Sequence, residues 1–296
     1  MLELATKIVE KPQPLITWKD RSLCWSGRIL TISALAGVAA AQIYLSPPVA
    51  VMLVIVSLFG WVAVRQEYAK TAMKAGGLML FYFAFWTGAW GYLHFIDITF
   101  PMKYDPQLLR VELIGITRAC GWLFEQSFIL RLCTWLVYVS LAYVMVAFYG
   151  WHLEHSSGKP GRVLSAFVVA FATGPLLYPL LPACGPAHAF PAGIPLTATG
   201  TMVLHGVPNC VPSLHMTTAL LIVFYRLPGR FSSWATGLFA LGTAWATLAT
   251  GEHYVIDLVV AVPFTYFVRG VVERKVNYVC SGLYITLATM LLLRYV

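Results

Sequence analysis

Val211-Pro212-Ser213-Leu214-His215 is a small polar island at the start of a long apolar segment. Proline is tolerated in the first turn of a helix, where its missing N–H group is not needed, so Pro212 is predicted to open a helix. Ser213 and His215 would then lie in the first turn, where backbone N–H groups without partners attract anions. The stretch therefore predicts an anion-binding helix start at the edge of an apolar segment.

A second polar island, Gly251-Glu252-His253-Tyr254-Val255-Ile256-Asp257, precedes a later apolar segment. His253 and Asp257 are four positions apart, so on a helix they would share one face. A carboxylate can hold one imidazole nitrogen and leave the other free to act as a nucleophile. A single histidine in an apolar protein is usually structural, but two histidines, a carboxylate and a hydroxyl together suit phosphoryl transfer.

Composition places the chain in a membrane. Of its 296 residues, 59% are hydrophobic and 11% are charged, whereas a soluble domain is about 45–50% apolar and about 25% charged. The formal net charge of +8 does not indicate a nucleic-acid partner, because the basic residues are scattered between apolar segments. We therefore predict an all-α polytopic membrane protein.

Nine apolar segments are long enough, or nearly long enough, to span a bilayer. They cover residues 28–45, 49–64, 76–96, 128–150, 162–182, 212–227, 232–250, 253–269 and 277–294. The predicted organisation is a cytoplasmic N-terminal segment (1–27), a transmembrane hairpin (28–75), a six-helix catalytic core (76–270) and one C-terminal transmembrane helix (271–296).

The basic residues predict the orientation. With nine spans and a cytoplasmic N-terminus, fifteen of the 20 Lys and Arg residues fall on the inner side and five on the outer side. Basic residues are enriched in cytoplasmic loops. Both polar islands are then expected on the outer face, which is periplasmic, extracellular or lumenal.

The two islands also resemble known motifs. Pro212-Ser213-Leu214-His215 resembles the PSGH-type motif of the type 2 phosphatidic acid phosphatase superfamily, and His253-xxx-Asp257 resembles its HxxxD motif. Leu214 in place of Gly, and the run from His253 to Asp257, are similar to the inositol phosphorylceramide synthase and sphingomyelin synthase branch. The resemblance covers roughly residues 76–270. It implies a membrane enzyme that acts on lipid phosphates.

The basic phosphate clamp of the phosphatases is missing from its usual places. Ala246-Thr247 stand where the phosphatases carry an Arg, and no KxxxxxxRP motif occurs. Arg110 and Arg118, in the long outer segment 97–127, are candidates to bind the phosphate instead; alternatively, they meet outer-leaflet phosphates or nearby acids. This segment is predicted to lie along the interface as an amphipathic helix over the site.

A second outer loop, residues 182–211, contains no Lys or Arg and is rich in Gly and Pro. It is predicted to act as a lid, with His188 as a substrate-binding residue; an interfacial histidine is the alternative. Cys184 and Cys210 flank this loop, which leaves a disulfide or two free thiols open. No metal or other cofactor is predicted, because Asp and Glu clusters suited to Mg²⁺ are absent from the site.

The residue roles follow from the resemblance and the chemistry together. His253 is predicted as the nucleophile, Asp257 as the residue that orients it, His215 as the general acid and base, and Ser213 as a phosphate-binding residue. The predicted reaction moves a phosphoryl-containing head group from a membrane lipid to a hydroxyl acceptor. The alternative within the superfamily is a lipid phosphate or polyprenyl diphosphate phosphatase that uses water. A transporter, which should show internal repeats, and an inactive scaffold are alternatives from other classes.

Overall fold

The structure is a computed structural model that describes residues 69–112, 114–155, 158–190, 202–204 and 206–296. The predicted N-terminal segment and the first two predicted spans, 28–45 and 49–64, lie outside these residues. The middle of the predicted lid, residues 191–201, lies outside them as well.

Helices dominate the described residues. In chain order they are α1 (Ala69–Thr99), α2 (Asp105–Val111), α3 (Ile114–Gln126), α4 (Phe128–Glu154), α5 (Pro160–Leu177), α6 (Pro186–Ala189), α7 (Leu214–Phe224), α8 (Arg230–Ala249), α9 (Val255–Glu273) and α10 (Val276–Leu293). A 3₁₀ turn, Tyr178–Leu180, continues α5.

The remaining seven predicted spans coincide with α1, α4, α5, α7, α8, α9 and α10. Within the described part of the chain, α4, α5 with its 3₁₀ turn, α9 and α10 are long and apolar enough to cross a membrane. The chain is therefore an integral membrane protein.

Three buried threonines inside the bundle bond back to their own helices. Thr217, Thr265 and Thr286 are buried, and each hydroxyl donates to the carbonyl oxygen four residues earlier in or beside its own helix. Between helices, Trp245 Nε1 of α8 donates to Thr134 Oγ1 of α4 at 2.9 Å. Such bonds let hydroxyl groups remain in an environment that offers no water.

Helix α7 is central, since α5, α8 and α9 all pack against it. At Gly174 of α5 the two helices are in close contact, since a Cβ atom there would lie 2.5 Å from Leu214 Cδ2. Leu214 is the residue between Ser213 and His215, so this contact fixes the start of α7 against α5. The position of the first polar island is thus set by helix packing.

The outer segment forms two helices, α2 and α3, rather than the single helix predicted. Before α2, the two-residue strand β1 (Met102–Lys103) pairs antiparallel with β2 (Met202–Val203), a pairing that the sequence analysis did not predict. Tyr104 N–H also donates to Pro182 O at 2.8 Å. Segments 97–127 and 182–211 are therefore joined through their backbones.

Candidate active site

His253 lies in the turn between α8 and α9, and the prediction that it shares a helix face with Asp257 was wrong. Gly251 ends α8 with φ +73°, and the N–H groups of Glu252 and His253 both donate to Thr247 O, at 3.1 and 3.2 Å. A positive φ is readily adopted only by glycine. The end of α8 therefore fixes the backbone of His253.

Asp257 still meets His253, although for a different reason from the one predicted. It is the third residue of α9, and its Oδ2 accepts the N–H of Tyr254 at 2.8 Å as a cap of the helix start. The same oxygen lies 3.3 Å from His253 Nδ1. The carboxylate thus engages one ring nitrogen and leaves Nε2 of His253 available for chemistry.

The two polar islands come together in space. The rings of His215 and His253 are 6.0 Å apart between centroids, at an interplanar angle of 64°. Tyr138 of α4 also stacks on His215, with ring centroids 4.5 Å apart and an interplanar angle of 23°. Backbone contact joins the islands as well, because Ser213 N–H points at Asp257 O at 3.5 Å.

Ser213, rather than Pro212, marks the beginning of α7. Pro212 precedes the helix, and Ser213 is its N-cap, with Oγ accepting the N–H of Met216 at 3.3 Å. The prediction that Pro212 occupies the first turn was therefore wrong by two positions, whereas His215 does lie in the first turn. Ser213 is fully buried, and its hydroxyl hydrogen is not required for the capping bond.

Asp105 is a buried acid at the start of α2 that holds the backbone of Cys184 and Gly185 next to the site. Its Oδ1 accepts the Gly185 N–H at 3.0 Å and the Tyr254 hydroxyl at 2.9 Å, and its Oδ2 accepts the Cys184 N–H at 3.2 Å. Burial raises the pKa of Asp105 to about 6, although these three bonds oppose the rise.

Glu112 completes this support from the end of α2. Both of its carboxylate oxygens accept the N–H of Val255, at 3.0 and 2.9 Å, and Thr117 donates to it from α3. Burial raises the pKa of Glu112 above its ordinary value. Because α9 begins at Val255, Glu112 adds a second carboxylate at the positive end of this helix, beside Asp257.

His188 and Glu252 form a pair near the two site histidines, with His188 Nε2 and Glu252 Oε2 3.4 Å apart. The hydrogen bond to Glu252 raises the pKa of His188, and burial opposes that rise. Burial would raise the pKa of Glu252, but the bond to His188 and the charges of His188, His253 and His215 lower it overall. Glu252 thus holds His188 beside the site.

Replacing His188 by Gln should reduce stability only within a pH window. Because the pKa of His188 is raised, its contribution to the stability of the folded protein is complete below pH 6.5. That contribution is lost as the pH rises through the pKa of His188 in the folded protein. The lowered pKa of Glu252 means that its contribution is complete above 4.5 and is lost on acidification.

Melting temperatures of His188→Gln and the unmodified protein should be compared from about pH 4 to about pH 8. The difference should be largest between pH 4.5 and 6.5. His155→Gln, at the exposed end of α4, is the control and should show no such window. A difference that does not vary with pH would contradict the ion pair.

The two arginines predicted to bind phosphate lie on α2 and α3. Arg110 Nη1 donates to the backbone oxygen of Val296. Arg118 is half-buried on α3. A phosphate-binding role for Arg110 would require its bond to Val296 to be exchanged.

Cys184 and Cys210 are both free and buried, so the free-thiol interpretation holds in this structure. Cys184 Sγ faces Asp105 Oδ2, and Cys210 Sγ donates to Glu252 O at 3.3 Å. Cys210 also groups with His253 and Asp257, with their ligand atoms within 4.8 Å of one another.

Sequence reasoning missed the supporting residues. Tyr138 sits within an apolar, aromatic-rich span and carries no local signal of its contact with His215. Asp105 and Glu112 had a signal, since each is an acid in an otherwise apolar neighbourhood, but only the three-dimensional contacts reveal what they hold.

Gly185→Ala should lower both stability and activity. Gly185 has φ +90° and ψ 157°, a conformation open essentially only to glycine, and an added Cβ would lie 2.4 Å from Glu252 O. We expect a loss of about 1–3 kcal/mol in the free energy of unfolding, with displacement of the turn that carries His253. Gly237→Ala in α8, where nothing lies within 4 Å, is the matched control. Equal melting temperatures for the two variants would contradict this packing.

The sequence was compared with family models, curated proteins and solved structures, and a family model matched. No curated protein and no solved structure matches the chain. The model of the PAP2 superfamily matches residues 106–269, more than half of the 296 residues, and this range contains His215, His253 and Asp257. The chain therefore belongs to the PAP2 superfamily.

Proposed function

We propose that this protein is a membrane phosphotransferase, similar to inositol phosphorylceramide synthase, that moves a phosphoryl-containing head group from a lipid to a hydroxyl acceptor. Members of the PAP2 superfamily are generally lipid phosphatases or phosphotransferases, which supports an enzyme of one of these two kinds. We favour transfer over hydrolysis because the catalytic pair is shielded from bulk water: His253 is 3% exposed and Asp257 is 0% exposed.

The proposed first step uses both histidines. His253 Nε2 attacks the phosphorus while Asp257 holds the proton on Nδ1 and stabilises the positive charge that develops on the ring. The bond from phosphorus to the lipid alcohol breaks, and His215 gives that alcohol its proton. The head group is then bound to His253 through a phosphorus–nitrogen bond.

The second step reverses these roles. His215 removes the proton from the acceptor hydroxyl, whose oxygen attacks phosphorus, and the bond to His253 breaks. The Ser213 hydroxyl, with N–H groups at the start of α7, is proposed to donate to the phosphate oxygens. Arg110, Arg118 and His188 are proposed to bind substrate around this centre.

The choice between transfer and hydrolysis depends on which hydroxyl reaches the intermediate. An open, wet pocket favours water, whereas a pocket that excludes water and positions an alcohol favours transfer. The absent arginine clamp supports transfer too: a terminal phosphate monoester carries nearly two negative charges, whereas a phosphodiester carries one and needs less basic compensation.

The test uses the purified protein with a labelled phospholipid pool, with and without candidate alcohols, and follows free phosphate and new lipid together. Transfer predicts new lipid that appears only when a suitable alcohol is present. Rapid release of phosphate from monoester lipids, unaffected by any alcohol, would reject the transferase in favour of a lipid phosphatase.

The site is proposed to face the outer side, with the N-terminus in the cytoplasm. Cysteines introduced at the exposed positions Ala187 and Arg230 test this, in a background where Cys24, Cys133 and Cys280 are Ser. A membrane-impermeant thiol reagent on intact cells should label Ala187→Cys and leave Arg230→Cys unlabelled. The reverse pattern would place the site on the cytoplasmic side.

A further inference from the structure

Cys210, His253 and Asp257 bring together three kinds of metal-binding side chain. A thiol, an imidazole and a carboxylate each offer one ligand atom, and these atoms lie within 4.8 Å of one another. Cys210 and Asp257 are fully buried and His253 is 3% exposed. In the part of the chain that the structure describes, this is the single group with such an arrangement.

A second observation points to a ligand at the same place. Asp257 Oδ2 accepts the N–H of Tyr254 and lies 3.3 Å from His253 Nδ1. The buried Oδ1 accepts no regular hydrogen bond from the described residues, and the Cys210 side chain is the group beside it. Buried carboxylate oxygens are normally satisfied by donors or cations. Oδ1 is therefore suited to a positively charged ligand.

The spacing fits a small tetrahedral cation. With bonds of about 2.0–2.3 Å to nitrogen, oxygen and sulfur, neighbouring ligand atoms in a tetrahedral zinc site are about 3.3–3.6 Å apart. His253 Nδ1 and Asp257 Oδ2 are 3.3 Å apart. The widest separation allowed in the group, 4.8 Å, requires a shift of about one ångström, which a thiol side chain supplies by rotation.

The charges fit as well. A thiolate and a carboxylate together carry two negative charges, which a divalent cation neutralises, and the neutral imidazole is the third ligand. The surroundings of Cys210 are apolar, since it belongs to a cluster with Leu108, Leu181 and Val211. A neutral assembly is far less costly to bury there than a charged one. Sulfur among the ligands favours zinc-like cations over Mg²⁺ or Ca²⁺.

We propose that Cys210, His253 and Asp257 form a binding site for a thiophilic divalent cation such as Zn²⁺, and that a cation bound there inhibits the protein by occupying the His253–Asp257 pair. Binding at the site is independent of the proposed function. The inhibition rests on it, because a metal-bound His253 cannot hold the proton or the orientation needed for attack on phosphorus.

The binding test uses the full-length protein in detergent, titrated with Co²⁺ as a spectroscopic substitute for Zn²⁺. A thiolate-to-cobalt charge-transfer band in the near ultraviolet should appear, and Zn²⁺ should remove it. Cys210→Ser should abolish the band. Cys184→Ser, which changes the other buried thiol of segment 182–211, should retain the band.

A second measurement does not depend on any variant. Zn²⁺ should raise the melting temperature of the unmodified protein, because a ligand that binds only the folded state stabilises it. Absence of both the band and the rise in melting temperature would overturn the site, and so would a band that survives Cys210→Ser in correctly folded protein.

Inhibition is tested separately in the lipid assay, with each variant compared with its own metal-free activity. The Zn²⁺ concentration for half-inhibition should rise at least about tenfold in Cys210→Ser, since even the loss of an outer-shell partner lowers metal affinity about 10–100-fold. It should stay unchanged in Cys184→Ser. A Cys210-dependent cobalt band with full activity at saturating Zn²⁺ would overturn the inhibition.

Discussion

Replacement of His253 by Ala is expected to lower turnover at least about a thousandfold, with the protein still folded and inserted, because removing a nucleophile leaves only binding and charge stabilisation. Turnover should be measured at equal amounts of protein, with gel filtration and melting temperature to verify folding. His155→Ala, at the exposed end of α4, is the matched control and should keep its activity. A variant that retains more than about a hundredth of the activity would contradict a nucleophilic role.

Asp257→Asn should cost less than His253→Ala. Asparagine keeps the shape of the side chain but removes the negative charge that stabilises the His253 ring as it becomes positive, and it perturbs the choice of ring nitrogen that carries the proton. A loss of about tenfold to a thousandfold is expected. Because Asp257 also caps α9 through Tyr254, melting temperatures should be compared in parallel, so that a loss of charge is distinguished from a loss of structure.

Asp105→Asn is expected to lower both stability and activity. The carboxylate accepts the N–H groups of Cys184 and Gly185 and the hydroxyl of Tyr254. Asparagine replaces one acceptor oxygen with an NH₂ group, so a buried N–H loses its partner at a cost of about 1–3 kcal/mol. The loss of this bond should displace Tyr254 and, with it, the adjacent His253. Activity should therefore fall about ten- to a hundredfold.

The pH dependence gives this prediction a specific signature. Because the pKa of Asp105 is raised to about 6, its contribution to stability is complete below 3.8 and declines as the pH rises through about 6. The unmodified protein should show this decline, and Asp105→Asn should lack it. Glu125→Gln, an exposed acid of the same outer segment, should behave as the unmodified protein does. A decline that persists in Asp105→Asn would contradict the assignment.

The parts of this protein that could be predicted from sequence are those with local signals. Apolar segments of sufficient length predicted the helices from 76 onward, because the bilayer requires length and hydrophobicity and little else. The two polar islands predicted the proximity of His215 and His253, since polar groups at helix ends are costly unless they are used together.

The details that failed depend on contacts distant in the sequence. Pro212 could have opened α7, but Ser213 is the better cap and Leu214 is held against Gly174 of α5. His253 could have been helical, but Gly251 and the carbonyl of Thr247 hold it in a turn. No periodicity within a segment reports such contacts.

The contacts that support the site also join residues that are distant in the sequence. Asp105 and Tyr254 are 149 residues apart in the chain, and Glu112 and Val255 are 143 apart. A pattern within one segment cannot reveal such pairings. Two carboxylates from the outer segment thereby fix the start of α9, which carries Asp257. Segment 97–127 is thus part of the framework of the site.

The proposed mechanism passes through a covalent intermediate on His253, which can be trapped. The purified protein is mixed with phosphorus-labelled lipid without acceptor, quenched under alkaline conditions that preserve phosphorus–nitrogen bonds, digested, and analysed for the labelled peptide. We expect label on His253, its loss on addition of a competent alcohol with matching formation of new lipid, and no label in His253→Ala. Turnover without label on His253, or label on His215 instead, would contradict this mechanism.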